Sequence, residues 1–299
     1  MGQTRDAQLG KLLLLGEPEA IVAVAGAPGL TDELARRAWW AMPTADAARR
    51  MLHAPAVVAG EMGKVLAQYL VEHLAFETDP FNVVTSVRLV LKPGLIDASQ
   101  RTRIWAKGNH RNAYHLGFLE ADPNDLPPDI PARGDHVKLN TKLSALAESG
   151  NALARLLGQL LDTAGQRYLA VSESLLAQPV NQDTASMLLN NIGRYFAPAR
   201  IGQPPPRDVD AICVHVQSLL EGDHADVRGV LSATPNLGSE LSAVLTLAHA
   251  SEELILPIVA KTTASGTLLK RKLEPVLAPL LAAYAALRSQ PSSSATRRR

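Results

Sequence analysis

Cys213 and His215 are the first residues whose types could do chemistry together, and their spacing argues against it. Positions two apart on a helix face different sides, so the pair cannot act as nucleophile and base. Cys213 falls beside Ile212 and Val216 and is expected to be a core residue. Glu72-His73 has no second histidine four residues on, and His73 is expected to be half-buried and hydrogen-bonded beside an apolar stripe. Asn109, His110 and His115 are spaced one and five apart, which is poor for a metal site. The chain contains no Walker loop, no G-x-G-x-x-G placed between a strand and a helix, no H-E-x-x-H and no G-x-S-x-G. No catalytic residue, metal site or cofactor is therefore expected. A single cysteine also excludes an internal disulfide and a cysteine-rich cluster.

Residues suited to binding are easier to name. Arg36 and Trp40 stand four apart and are placed to stack as cation over ring, while Trp39 turns to another side. Two adjacent indoles cannot both be central in one core, so at least one is a candidate for a groove or interface, although packing is the favoured reading. The second cluster is Arg101, Arg103, Lys107, His110, Arg111 and His115, interleaved with Trp105 and Tyr114. Cations with aromatics between them suit an anionic partner. A solvated helix face is the simpler reading, and Asp122, Asp125, Asp129 and Asp135 are close enough in sequence to neutralise the cluster.

The elements that must position these residues read as helices. Aromatic residues make up only 4% of a chain rich in Leu and Ala, and no alternating run of β-branched residues extends beyond a few positions. Met62, Val65, Leu66, Tyr69, Leu70 and His73 follow the spacing of one helix face. Thr31, Thr44, Asp79 and Asp97 are expected N-caps, the last forming a capping box with Gln100. Three helix pairs can be drawn, at 17–42, 44–75 and 79–108. An acidic, proline-rich stretch from Glu120 to Asp135 follows. Beyond it, Leu139, Leu143, Leu146, Leu153, Leu157 and Leu160 suggest one bundle helix interrupted only by Gly150. Val209 to Leu220, Leu237 to Ala248 and Leu269 to Leu287 give further amphipathic helices, the last with Pro275 and Pro279 as points of curvature. Gly202 to Pro206 reads as an extended loop.

The expected fold is thus all-α: a HEAT-like or irregular layer of helix pairs over 1–119, a connector over 120–135, a helical bundle over 136–288 and a disordered tail over 289–299. Thirty basic against 29 acidic residues leave a formal charge of +1, which gives no global attraction to nucleic acid or membranes. No apolar run reaches the ~18 residues of a membrane span, and no signal-peptide core is evident, so a cytoplasmic protein is expected.

The run Arg36-Arg37-Ala38-Trp39-Trp40-Ala41-Met42-Pro43-Thr44, with Met62-Gly63-Lys64-Val65-Leu66 and Tyr69-Leu70-Val71-Glu72-His73-Leu74, resembles the DsrS family over roughly residues 30–125. These are soluble proteins associated with dissimilatory sulfur oxidation in sulfur bacteria. The resemblance implies a cytoplasmic accessory role in that pathway and supplies no catalytic residues. A persulfide carrier needs an exposed cysteine, and Cys213 lies outside the resembling region. The functional expectation is a non-enzymatic helical protein that binds or regulates other proteins. The alternatives are a helical-repeat nucleic-acid binder using the cluster from Arg101 to Arg111, which the near-zero net charge disfavours, and a hydrolase or transferase whose site carries no recognisable motif.

Overall fold

The computed structural model describes residues 2–202 and 208–288, the side chains of 2–7 excepted. Expectations that fall on Gln203 to Arg207 and on the tail from Ser289 lie outside the described residues. The protein is all-α, and no strand occurs among the described residues. The chain divides into two compact units, Met1–Ala121 and Asp122–Arg299.

The first unit comprises α1 (Gly2–Leu13), α2 (Pro18–Ala25), α3 (Asp32–Ala41), α4 (Ala45–Met51), α5 (Pro55–Ala59), α6 (Glu61–His73), α7 (Pro80–Val90), α8 (Ala98–Lys107) and α9 (Asn112–Ala121). The expected caps are formed. The side chains of Thr31, Thr44 and Asp79 accept from the backbone N–H groups of Leu34, Ala47 and Phe81, and Asp97 and Gln100 complete a reciprocal box. Asp32 does something local spacing does not announce: its carboxylate accepts the backbone N–H of Met62 at 3.0 Å. It thereby caps the start of α6 and locks α3 against it.

The helix pairing differs from the sequence expectation in two places. The 44–75 stretch holds three helices, because Pro55 starts a separate short α5. In the 79–108 stretch, α7 takes α9 as its main neighbour, while α8 packs against α9. The reason lies in α7 itself, which buries Val83, Val84, Thr85, Ser86, Val87, Leu89 and Val90 and so has almost no solvent face.

The second unit comprises α10 (His136–Glu148), α11 (Ala152–Leu161), α12 (Thr163–Ala177), α13 (Gln182–Tyr195), α14 (Val209–Glu221), α15 (Ala225–Ala233), α16 (Gly238–Leu247), α17 (Leu256–Val259) and α18 (Gly266–Leu287). The single leucine-striped helix expected through Gly150 is instead a hairpin of α10 and α11. Gly150 has φ +101°, a left-handed conformation that ends a helix and that other residues rarely adopt. Asn151 then caps α11, its side chain accepting from Ala154 N–H at 2.9 Å. The expected stripe of α18 is buried throughout, and the helix runs unbroken across Pro275 and Pro279.

The core of this unit contains polar groups that periodicity does not single out. Tyr168 stacks on Tyr195 with centroids 3.6 Å apart and donates to Asn191 Oδ1 at 3.1 Å. The Gln166 amide donates to the carbonyls of Leu160 at 2.8 Å and Leu287 at 3.1 Å, joining the ends of α11 and α18. Burial pushes the Tyr195 phenol up to about 12.

Candidate functional site

The α3–α6 contact sets up the most distinctive surface of the first unit. On α6 the buried face is Met62, Gly63, Leu66, Ala67 and Leu70, rotated from the expected stripe. Val65 is exposed, and Tyr69 and His73 sit at the rim. The physical reason is that Gly63 and Ala67 are small enough for neighbouring elements to approach closely, so the helix turns its aromatic edge outward. The Trp39 indole meets the Tyr69 ring edge-on at 4.8 Å. Tyr69 stacks on His73 at 5.7 Å, and His73 is followed by Phe76 at 6.4 Å. Trp40 stands next to this row in the chain and is 87% exposed, and Phe76 is 78% exposed. Leaving aromatic area of this kind in water is costly, and monomeric surfaces seldom carry it without use.

The expected stacking of Arg36 on Trp40 is replaced by ion pairing. Arg36 and Arg37 both engage Glu33, the latter at 2.8 Å, and these contacts hold the Glu33 carboxyl below its usual range. A carboxylate three and four residues upstream outcompetes the ring for both guanidinium groups.

The basic cluster does not form one surface. Arg103 and Lys107 on α8 and His110 in the following turn are exposed. Arg111 points inward, donating to the carbonyls of Glu77 at 2.8 Å and Thr78 at 3.4 Å, with its guanidinium over the Tyr114 ring. Tyr114 is buried and donates to the Leu74 carbonyl at 3.0 Å, and burial raises its phenol pKa. Arg101 lies over the Phe118 ring at 5.5 Å. Trp105 packs on His115 at 4.0 Å and edge-on against Phe118 at 4.9 Å. The His115 Nε2 lies 3.1 Å from the Trp105 carbonyl, which can only accept, so Nε2 carries the proton. Burial lowers the His115 pKa, keeping the ring neutral. Gly108 is required here, since a Cβ would lie 2.0 Å from the His115 ring. Arg111, Tyr114, Arg101 and Trp105 therefore hold α8, α9 and the 74–78 turn together. Two of the connector carboxylates are engaged inside the second unit, Asp135 with Arg133 at 2.7 Å and Asp129 with Arg167 at 3.7 Å.

Cys213 is a further correction: it is exposed. The buried face of α14 is Val209, Ile212, Val216 and Leu219, and position 213 falls about a quarter-turn off its centre. In the folded protein Cys213 is expected to react with a thiol reagent nearly as fast as after unfolding. A labelling rate ten or more times slower in the native state would contradict this placement.

Among the described residues no group of three or more His, Cys, Asp or Glu is placed to hold a metal ion. No described helix is long and apolar enough to cross a membrane.

The chain matches no protein-family model, no curated protein and no solved structure.

Tyr69 and His73 lie on the rim where the helix spacing predicts core, and Phe76 extends their row beyond the end of α6. Its signal was present: positions 65, 69, 73 and 76 follow helical spacing as a second stripe beside 62, 66 and 70. Which of two adjacent stripes faces the core depends on the neighbour, which here closes on Gly63 and Ala67 while Asp32 caps α6 from α3.

Proposed function

We propose that the protein is a non-enzymatic helical accessory protein that binds other proteins through the aromatic face of α3 and α6. The observation that carries this reading is the row of Trp39, Tyr69, His73 and Phe76, in which Phe76 is 78% exposed, together with Trp40, next to Trp39 in the chain and 87% exposed. Tryptophan and tyrosine are the side chains that contribute most when buried at an interface. The resemblance of residues 30–125 to the DsrS family supports a partner among cytoplasmic sulfur-oxidation components, and the residues that carry it include Trp39, Trp40, Tyr69 and His73. Nucleic-acid binding by the cluster from Arg101 to Arg111 is the weaker reading, because Arg111 and Tyr114 are spent on internal contacts.

A photocrosslinking residue placed at position 40 in the native cell tests the proposal, with the same residue at exposed Lys138 as the control. Discrete protein adducts from position 40, absent from position 138 and reduced at least fivefold by Tyr69→Ala, are expected. Sulfur-oxidation proteins among them would support the pathway assignment. No adduct specific to position 40, or adducts of DNA or ribosomal components, would overturn the proposal.

A further inference from the structure

The second unit holds a pair of imidazoles with no evident structural duty. His215 lies on α14 and His249 lies just past the end of α16, and their rings meet edge-on with centroids 5.5 Å apart. The Nε2 atom of each is buried and has no hydrogen-bond partner among the described residues. Unpartnered buried polar atoms are uncommon in native folds, and each one carries a free-energy cost. Here two of them belong to one pair of touching rings.

The surroundings are cationic. Arg200, which follows α13 and a short 3-10 turn at Ala197–Ala199, donates through Nε to the Ala248 carbonyl at 2.7 Å and through a terminal nitrogen to the Gly193 carbonyl at 2.9 Å. The groups acting on His249 besides burial are His215 from α14 and Arg200, and both disfavour a second positive charge. On α16 itself, Glu240 is held by Arg133 at 2.8 Å. The negative end of α16 would favour an imidazolium, but Arg200 already occupies the Ala248 carbonyl there. Burial first, then these neighbours, push the His249 pKa down to about 4.

The helix that carries His215, α14, packs on α16 and α15. Its buried stripe, Val209, Ile212, Val216 and Leu219, is short.

We propose that the His215–His249 contact is an acid-sensitive latch, in which the paired rings hold α14 on α16 and protonation of His249 releases the helix. The sign follows from linkage. While α14 is docked, the His249 pKa is held at about 4, below the ordinary imidazole value; release removes the cover of α14 and the His215 ring, so the released state takes up the proton more readily as pH falls. Docking is strongest above pH 6.5 and weakens as pH falls toward 4. Release uncovers the Val209, Ile212, Val216 and Leu219 stripe, which gives acidification a route to a new apolar surface.

Hydrogen exchange of the full chain, corrected for the intrinsic pH dependence of exchange, tests the latch by comparing α14 amides with α18 amides. In the wild type, the opening of α14 is expected to increase between about threefold and thirtyfold from pH 7.5 to pH 5, with α18 unchanged, the upper figure applying if release restores the ordinary imidazole pKa in full. His249→Gln removes the titrating group and should flatten that dependence. Equal α14 protection at both pH values, an unchanged pH dependence in His249→Gln, or parallel loss in α14 and α18 would overturn the proposal. If the variant fails to fold, the wild-type His249 ring resonances decide the matter. A midpoint below about 5 is required, and a midpoint near 6.5 refutes the latch.

Discussion

Replacing Arg49 with methionine is expected to destabilise the first unit by about 3–5 kcal/mol, the usual result of removing one partner from a buried ion pair. The Arg49 side chain is 10% exposed and meets the carboxylate of Glu77, whose side chain is 12% exposed, at 3.1 Å. It also reaches the Ser86 hydroxyl at 3.4 Å. One side chain thus joins α4, the turn before α7, and α7 itself. Methionine replaces most of the volume and none of the charge, which leaves Glu77 desolvated without a cation. All three tryptophans, Trp39, Trp40 and Trp105, lie in the first unit, so tryptophan fluorescence during urea unfolding reports on that unit selectively. The double variant Arg49→Met, Glu77→Leu should recover most of the loss, because it removes the orphaned carboxylate as well. A single-variant loss under about 1 kcal/mol would show that the pair is effectively solvated.

How much of this was legible in the sequence depended on the range of the interaction. The helix starts at Thr31, Thr44, Asp79 and Asp97 were readable because a cap is satisfied within three residues of itself. The stripes of α14 and α18 were readable because each helix buries one face. The α10–α11 hairpin was misread as one helix because leucine spacing survives across Gly150, whereas its positive φ does not show in the sequence. Cys213 was misplaced because apolar neighbours on both sides do not say which arc of a helix is covered. Helices α12, α13 and α15 gave no clean stripe. Gln166, Tyr168, Ser172 and Asn191 are buried among apolar residues there and break the pattern that periodicity needs.

The site shows the same division. Trp39 and Trp40 were legible as a pair that one core could not hold, and Trp40 is indeed outside. The basic cluster misled because composition cannot distinguish a cation facing water from one buried against carbonyls. Arg111 and Arg103 look alike in the sequence, yet the first binds the 77–78 backbone and the second is exposed.

Arg133 is where the longest-range contact meets the least conspicuous sequence, and its replacement carries the second large effect. It lies within a stretch whose prolines and aspartates read as a connector, yet its side chain is 10% exposed. Two of its nitrogens take the Asp135 carboxylate at 2.7 and 2.9 Å, and a third takes Glu240 on α16 at 2.8 Å. Its backbone N–H donates to the Leu161 carbonyl at 2.9 Å, at the end of α11. Asp135 is 47% exposed and can be re-solvated when the arginine is lost, so it adds little. Glu240 is 10% exposed and cannot. Arg133→Met is therefore expected to destabilise the second unit by about 3–5 kcal/mol, almost all of it through Glu240. Hydrogen exchange at α11 and α16 is the appropriate measurement, and protection there should fall by about two to four orders of magnitude, each factor of ten corresponding to about 1.4 kcal/mol. Asp135→Asn should cost less than about 1 kcal/mol, and Arg133→Met combined with Glu240→Leu should regain most of the protection. Equal losses from Arg133→Met and Asp135→Asn would show that Glu240 reaches water without the arginine, and the buried-pair account of this unit would then fail.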